Sequence, residues 1–129
     1  MKNKVAILFV VSIVVIMALS ACGAVKDVGT VNDLGKGFMT ALRDGDATGS
    51  WDMLTTAVQD EVGGTDAWGE FVTPRNFSNW NFTSTNVQNN SAEMDGEATL
   101  GAETYTVVLI FDKADDTWKI SGINFTLKQ

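Results

Sequence analysis

The chain contains no histidine, a single cysteine and a single proline among 129 residues. Without histidine, the commonest general base and the commonest metal ligand are both missing. One cysteine excludes an internal disulfide and a zinc site built from thiolates. Positive charge is also scarce, with nine Lys or Arg against sixteen Asp or Glu. No internal repeat, low-complexity tract or second charge block divides the chain, and its length fits one domain. Long apolar runs are confined to one place, Val5 to Leu19, which reads VAILFVVSIVVIMAL without a charge. Setting residues 1–21 aside leaves seven basic against sixteen acidic residues, a net charge of −9. Such a surface repels phosphate backbones and excludes nucleic acid as a partner.

The N-terminus carries an address. Lys2 and Lys4 form a short positive region, and the apolar run behind them has the length of a signal-peptide core, short of the roughly 20 residues of a membrane span. It ends in Leu19-Ser20-Ala21-Cys22, followed by Gly23 and Ala24 instead of a basic stop-transfer flank. This tetrapeptide resembles the bacterial lipobox. The resemblance implies cleavage after Ala21 and a diacylglycerol on the thiol of Cys22, which anchors the protein on the extracytoplasmic side of the cell membrane. Two acyl chains suffice for stable anchoring, at about 0.8 kcal/mol per buried methylene. Acylation also accounts for an unpaired cysteine in an exported protein. Residues 22–29 then read as a short linker that keeps the domain, residues 30–129, close to its membrane.

Helical spacing comes first in the domain. Thr30 with Asp33 marks a helix start, and Val31, Leu34, Phe38, Ala41 and Leu42 recur on one face until Gly45. Asp46 is placed to cap a second short helix with Ala47, Trp51 and Leu54 on a common side. Gly63-Gly64 breaks the next stretch, and Thr65 is placed to cap a further helix carrying Trp68, Phe71 and Val72. Pro74 closes it.

After Pro74 the period changes to two. Trp80 and Phe82 alternate with Asn81 and Thr83 in a strand running to about Val87, and Asn89-Asn90 marks a turn. The next strand sets Ala92, Met94, Ala98 and Leu100 against Glu93, Asp95, Glu97 and Thr99, with Gly96 as a point of bending or bulging. Thr104 to Phe111 is apolar on both faces and suits a central strand. Residues 112–117 read as a polar hairpin loop, and the last strand opens at Trp118-Lys119-Ile120, with a bulge expected at Ser121-Gly122.

Helices followed by four antiparallel strands define an α+β domain. Three segments carry a likeness within it: Phe38-Met39-Thr40-Ala41-Leu42-Arg43-Asp44-Gly45-Asp46, Trp51-Asp52-Met53-Leu54, and Asp116-Thr117-Trp118-Lys119-Ile120. They resemble the opening and closing motifs of small bacterial lipoproteins of the nuclear transport factor 2-like superfamily, a cystatin-like cone fold. The resemblance implies N-terminal helices packed on a curved four-stranded sheet around a cone-shaped pocket. Trp51, Trp68, Phe71 and Tyr105 are suitable wall material for such a pocket, although a domain of this size needs its aromatics first of all as core. Some members bind small apolar molecules in the pocket, and members often dimerise through the open face of the sheet. Here Asn81, Thr83 and Thr85, with Thr106 and Val108, offer a surface of that kind.

Chemistry is sparse. Isomerases of this fold pair a pocket carboxylate with a tyrosine that stabilises an oxyanion, and dehydratase-like members use histidine. The only tyrosine is Tyr105, Glu103 flanks a loop and Asp112 closes one, so no carboxylate stands in an apolar strand setting. The carboxylates Asp112, Asp115 and Asp116 lack the ligand spacing of a calcium loop. Sequons at Asn76, Asn81, Asn89 and Asn124 follow a bacterial lipobox and are read as unmodified. These residues favour a non-catalytic binding or interaction module without metal or cofactor, holding a small apolar ligand or self-associating. A small isomerase-like or cyclase-like enzyme is the alternative, and it requires a pocket carboxylate within reach of Tyr105.

Overall fold

The computed structural model describes residues 25–129, so the segment read as a signal peptide, the lipobox-like tetrapeptide and the expected lipid site Cys22 lie outside the described residues. Helix α1 occupies residues 25–44, followed by α2 (Ala47–Asp52), α3 (Thr56–Val62) and α4 (Thr65–Val72). Strands β1 (Asn79–Gln88), β2 (Ser91–Leu100), β3 (Glu103–Ala114) and β4 (Thr117–Leu127) form an antiparallel meander in the order β1-β2-β3-β4. The helices pack on one face of this curved sheet. No helix among the described residues is long and apolar enough to cross a membrane.

Val31, Phe38, Met39 and Leu42 of α1 are fully buried against Met94, Val107, Leu109 and Phe111 of the sheet. The apolar spacing of the sequence thus becomes the contact face. Gly35 lies on the same face, where an added Cβ would approach the thioether of Met94, so the missing side chain lets the helix sit close to β2. The helix does not start at Thr30. It already runs through residues 25–29, expected as linker, and Thr30 Oγ1 donates to the carbonyl of Lys26 inside it. Asp27 ties this first segment to the sheet, accepting from Trp118 Nε1 at 3.2 Å and from Lys113 Nζ at 3.3 Å. Those bonds hold the Asp27 carboxyl below its ordinary value, the indole N–H contributing most, against the opposing effect of burial.

Turn chemistry sets the junctions. Gly45 takes φ +70° at the end of α1, and Asp46 caps α2 by accepting from Gly49 N–H at 2.9 Å. The stretch after Leu54, left without an element by the sequence, is α3, capped by Thr55 and stopped by Gly63 at φ +100°. The β3–β4 connection is tighter than the expected loop over 112–117. Both strands continue to a two-residue turn at Asp115 and Asp116, with φ 52° and 59°.

Two bulges shape the sheet. In β4 the extra residue is Ser121, as expected there: Ile120 faces the core before it, and Ile123 and Phe125 face the core after it. The other bulge is not at Gly96 but opposite it, in β1, where Phe82 pairs with Gly96 and Ser84 with Asp95, leaving Thr83 as the extra residue. A Cβ on Gly96 would lie 2.8 Å from Phe82 Cα and closer still to the Asn81 carbonyl oxygen. The bulge also reverses the later half of β1. Thr85 therefore does not share the open face with Asn81; it points inward, and its hydroxyl donates to Asn32 Oδ1 of α1 at 2.6 Å.

Candidate functional site

Phe38, Met39, Trp68, Phe77, Met94 and Phe111 are among the largest fully buried side chains of the core. Space opens beside it, between α3, α4 and β4. There a cleft of about 500 Å³ is lined by Val58, Glu61 and Val62 of α3, Ala67, Trp68 and Phe71 of α4, and Ser121, Gly122 and Ile123 of β4. Its position follows from the chain order. The segment between α2 and α3 pairs with β4, Ile120 N–H donating to Met53 O at 2.8 Å and Thr55 N–H donating to Ile120 O at 2.9 Å. Thr55 then starts α3, where the main-chain pairing with the strand ends, and the Ser121 bulge interrupts β4 at the same level. The cleft is the gap they leave.

Trp68 is its fixed wall. It is 2% exposed, and its indole N–H donates to Ser50 Oγ at 2.8 Å, Ser50 being the only buried polar side chain among the described residues. Phe71 stacks on Trp68 at 4.8 Å between ring centroids, and the Arg75 guanidinium covers Phe71 at 3.8 Å while Nη1 donates to the Phe71 carbonyl. Trp51 lies 6.4 Å from Trp68 on the α2 side and backs the wall without lining the cleft. The four aromatics singled out from the sequence thus divide: Trp68 and Phe71 line this cleft, Trp51 supports it, and Tyr105 stands elsewhere.

Tyr105 lines a smaller recess of about 220 Å³ with Pro74, Arg75, Phe77, Leu100 and Phe125. Phe77 and Phe125 connect it to Phe71, at 5.7 Å, 4.9 Å and 6.4 Å along the series Tyr105, Phe77, Phe125, Phe71. The Tyr105 hydroxyl donates to Glu103 Oε2 at 3.0 Å. This bond, with partial burial, raises the phenol above its ordinary value. The carboxylate partner is exposed at the β2–β3 turn, and no carboxylate is buried among the described residues. The tyrosine hydroxyl is thus bonded to a solvated acid at a turn.

Val58, Glu61 and Val62 are lining residues that sequence reasoning missed. The signal was present: Thr55 three residues before Val58, and Gly63 closing the stretch, bracket a capped helix. The sequence places Ile123 in the last strand but does not mark it as a wall, because only the bulge turns it towards α4.

Among solved structures, an NTF-2 like protein of unknown function from Silicibacter pomeroyi matches with a TM-score of 0.64 at 13% identity, covering 81% of this chain and 98% of its own. DUF4783 family proteins from Bacteroides uniformis and Bacteroides ovatus match with TM-scores of 0.57 each, at 14% and 17% identity, covering 73% and 72% of this chain and 96% and 94% of theirs. No protein-family model and no curated protein matches the chain. The chain has the nuclear transport factor 2-like fold, as the resemblance in its sequence implied.

Proposed function

We propose that this chain is a non-catalytic binding module, anchored through a lipid on Cys22 to the extracytoplasmic face of the cell membrane, whose cleft between α3, α4 and β4 holds a small apolar ligand. The cleft carries the proposal: at about 500 Å³ it has the size of small-molecule sites, and its walls are aliphatic and aromatic with few polar groups. The lipobox Leu19-Ser20-Ala21-Cys22 supports the anchor, and few residues separate Cys22 from the helix described from residue 25, which keeps the cleft near the membrane, a source of apolar molecules.

The neutral apolar dye N-phenyl-1-naphthylamine tests this reading with the domain starting at residue 23, which retains the whole core. Its fluorescence is expected to rise on binding. Ala67→Trp, at an exposed position on the cleft wall, should weaken binding by about tenfold or more without loss of stability. Undiminished binding in that variant would move the site elsewhere.

Self-association through the open face of the sheet is a second reading, favoured by the half-buried Val108 and Ile110 on the outer side of β3. With Thr85 turned inward, the surface consists of Asn81, Ser84 and Asn86 on β1 with Thr106 and Val108 on β3, separated by Glu93, Asp95 and Glu97 on β2. A monomer in gel filtration at high protein concentration would remove this reading.

A further inference from the structure

The main-chain groups of β4 point to an occupant of a different kind. Lys128 N–H donates to Thr104 O at 2.9 Å, and Thr126 and Asn124 stand opposite Thr106 and Val108 in the same ladder. In an antiparallel ladder, alternate residues bond to the neighbouring strand and those between them turn their N–H and C=O outward. The outward row of β4 is therefore Ile120, then, past the bulge, Ile123, Phe125 and Leu127. The segment from Met53 to Thr55 satisfies Ile120. Among the described residues no hydrogen-bond partner meets the outward groups of Ile123, Phe125 or Leu127, because the main-chain pairing with this edge stops at Thr55, where α3 begins and stays beside β4 only through side chains. The apolar cleft opens at that point, with Ile123 belonging both to the bare edge and to the cleft wall.

We infer that the β4 edge from Ile123 to Leu127 is a docking site for an extended peptide segment of another protein, which adds a strand to the sheet, sets an apolar side chain into the cleft against Trp68 and Phe71, and carries cationic residues. The inference rests on the cleft being a binding site and changes what occupies it. Main-chain pairing would supply affinity and the cleft would supply selectivity. Charge argues for a cationic segment. The helices of the cleft carry Asp60, Glu61, Asp66 and Glu70, Glu61 on the cleft wall itself, against one nearby cation, Arg75, which is already engaged on the Phe71 ring and carbonyl. The domain's net negative charge steers a basic partner towards it. The bare part of β4 carries no charge, Lys128 standing just past its end, and Leu127 is one of the two exposed large apolar side chains of the described chain.

The test uses the capped peptide Lys-Val-Thr-Val-Asn-Val-Lys and two forms of it, N-methylated at its odd or its even amides, with the domain from residue 23. Strand addition uses one edge of the peptide, so one methylated form should bind at least about tenfold more weakly than the other. Amide exchange at Ile123, Phe125 and Leu127 should slow by about tenfold or more on binding the parent peptide. Replacing both Lys of the peptide by Glu should weaken binding, with the difference shrinking in high salt. Equal losses from both methylated forms would overturn strand addition. Binding of N-phenyl-1-naphthylamine in the cleft without binding of the peptide would overturn the inference and leave the apolar-ligand reading standing. Failure of both probes would remove both. Protection of the same amides by self-association, without peptide, would assign the edge to a second copy and overturn the inference as well.

Discussion

Ser50→Ala probes how the cleft wall is held. Ser50 is fully buried, and its hydroxyl accepts the indole N–H of Trp68, itself 2% exposed. Removing the oxygen leaves a buried donor without a partner, which costs about 1–3 kcal/mol. The serine's own bonds to the carbonyls of Asp46 and Ala47 add little, since the Asp46 carbonyl keeps the helical N–H of Ser50. For a domain of this size the melting temperature should fall by roughly 4–8 °C per kcal/mol. Trp68→Phe removes the donor and part of the ring, and so has its own packing cost. In that background Ser50→Ala should cost no more than about 0.5 kcal/mol, because no indole N–H remains to be orphaned. Urea unfolding followed by far-ultraviolet circular dichroism gives all four stabilities without relying on the fluorescence of Trp68. Additivity of the two substitutions within about 0.3–0.5 kcal/mol would refute the reasoning.

Gly96→Ala should destabilise by about 1–3 kcal/mol or more, because the new methyl meets the backbone of Asn81 and Phe82 at the β1 bulge, and urea midpoints at constant slope would check it. Asp27 has a folded-state value lowered below 3.8, so the unfolded chain binds more protons there as acid is added. Its stabilisation is complete above that ordinary value and is lost as pH falls through the lowered one. Asp27→Asn should therefore be less stable than wild type at neutral pH, with the two converging in strong acid, as thermal melts across pH would show. Tyr105 is the only tyrosine, so absorbance titration should report one phenol ionising above 10.0, and Glu103→Gln should bring it down. Cys22→Ser should abolish incorporation of labelled palmitate in cells and release the protein from the membrane fraction or leave it unprocessed.

Much of the fold could be read from local pattern. The 3.6-residue spacing from Val31 to Leu42 marked the buried face of α1, and Gly45 and Asp46 marked its stop and the next start, because caps and helical faces are encoded within a few residues. The Ser121 bulge was legible because Trp118 and Ile120 lie out of phase with Ile123 and Phe125 in an otherwise alternating strand. Its counterpart in β1 was assigned to the wrong strand. Gly96 signals a close approach but not which neighbour needs it, and that neighbour, Asn81-Phe82, is set by pairing register. The helix start was misread because the first segment of α1 is held by Trp118 and Lys113, some ninety positions away in sequence. The cleft was only partly legible for the same reason. Trp68 and Phe71 announce an apolar helix face, but the gap beside them depends on where main-chain pairing with β4 stops at Thr55, a tertiary event.

The cleft is tested most directly by nuclear magnetic resonance of the ¹⁵N-labelled domain starting at residue 23, titrated with N-phenyl-1-naphthylamine. A binding cleft between α3, α4 and β4 predicts saturable shifts of the Trp68 indole N–H and of the amides of Val58, Phe71 and Ile123, with the amides on the outer face of β2 unmoved. Shifts confined to that outer face, or none up to the solubility limit of the dye, would contradict it.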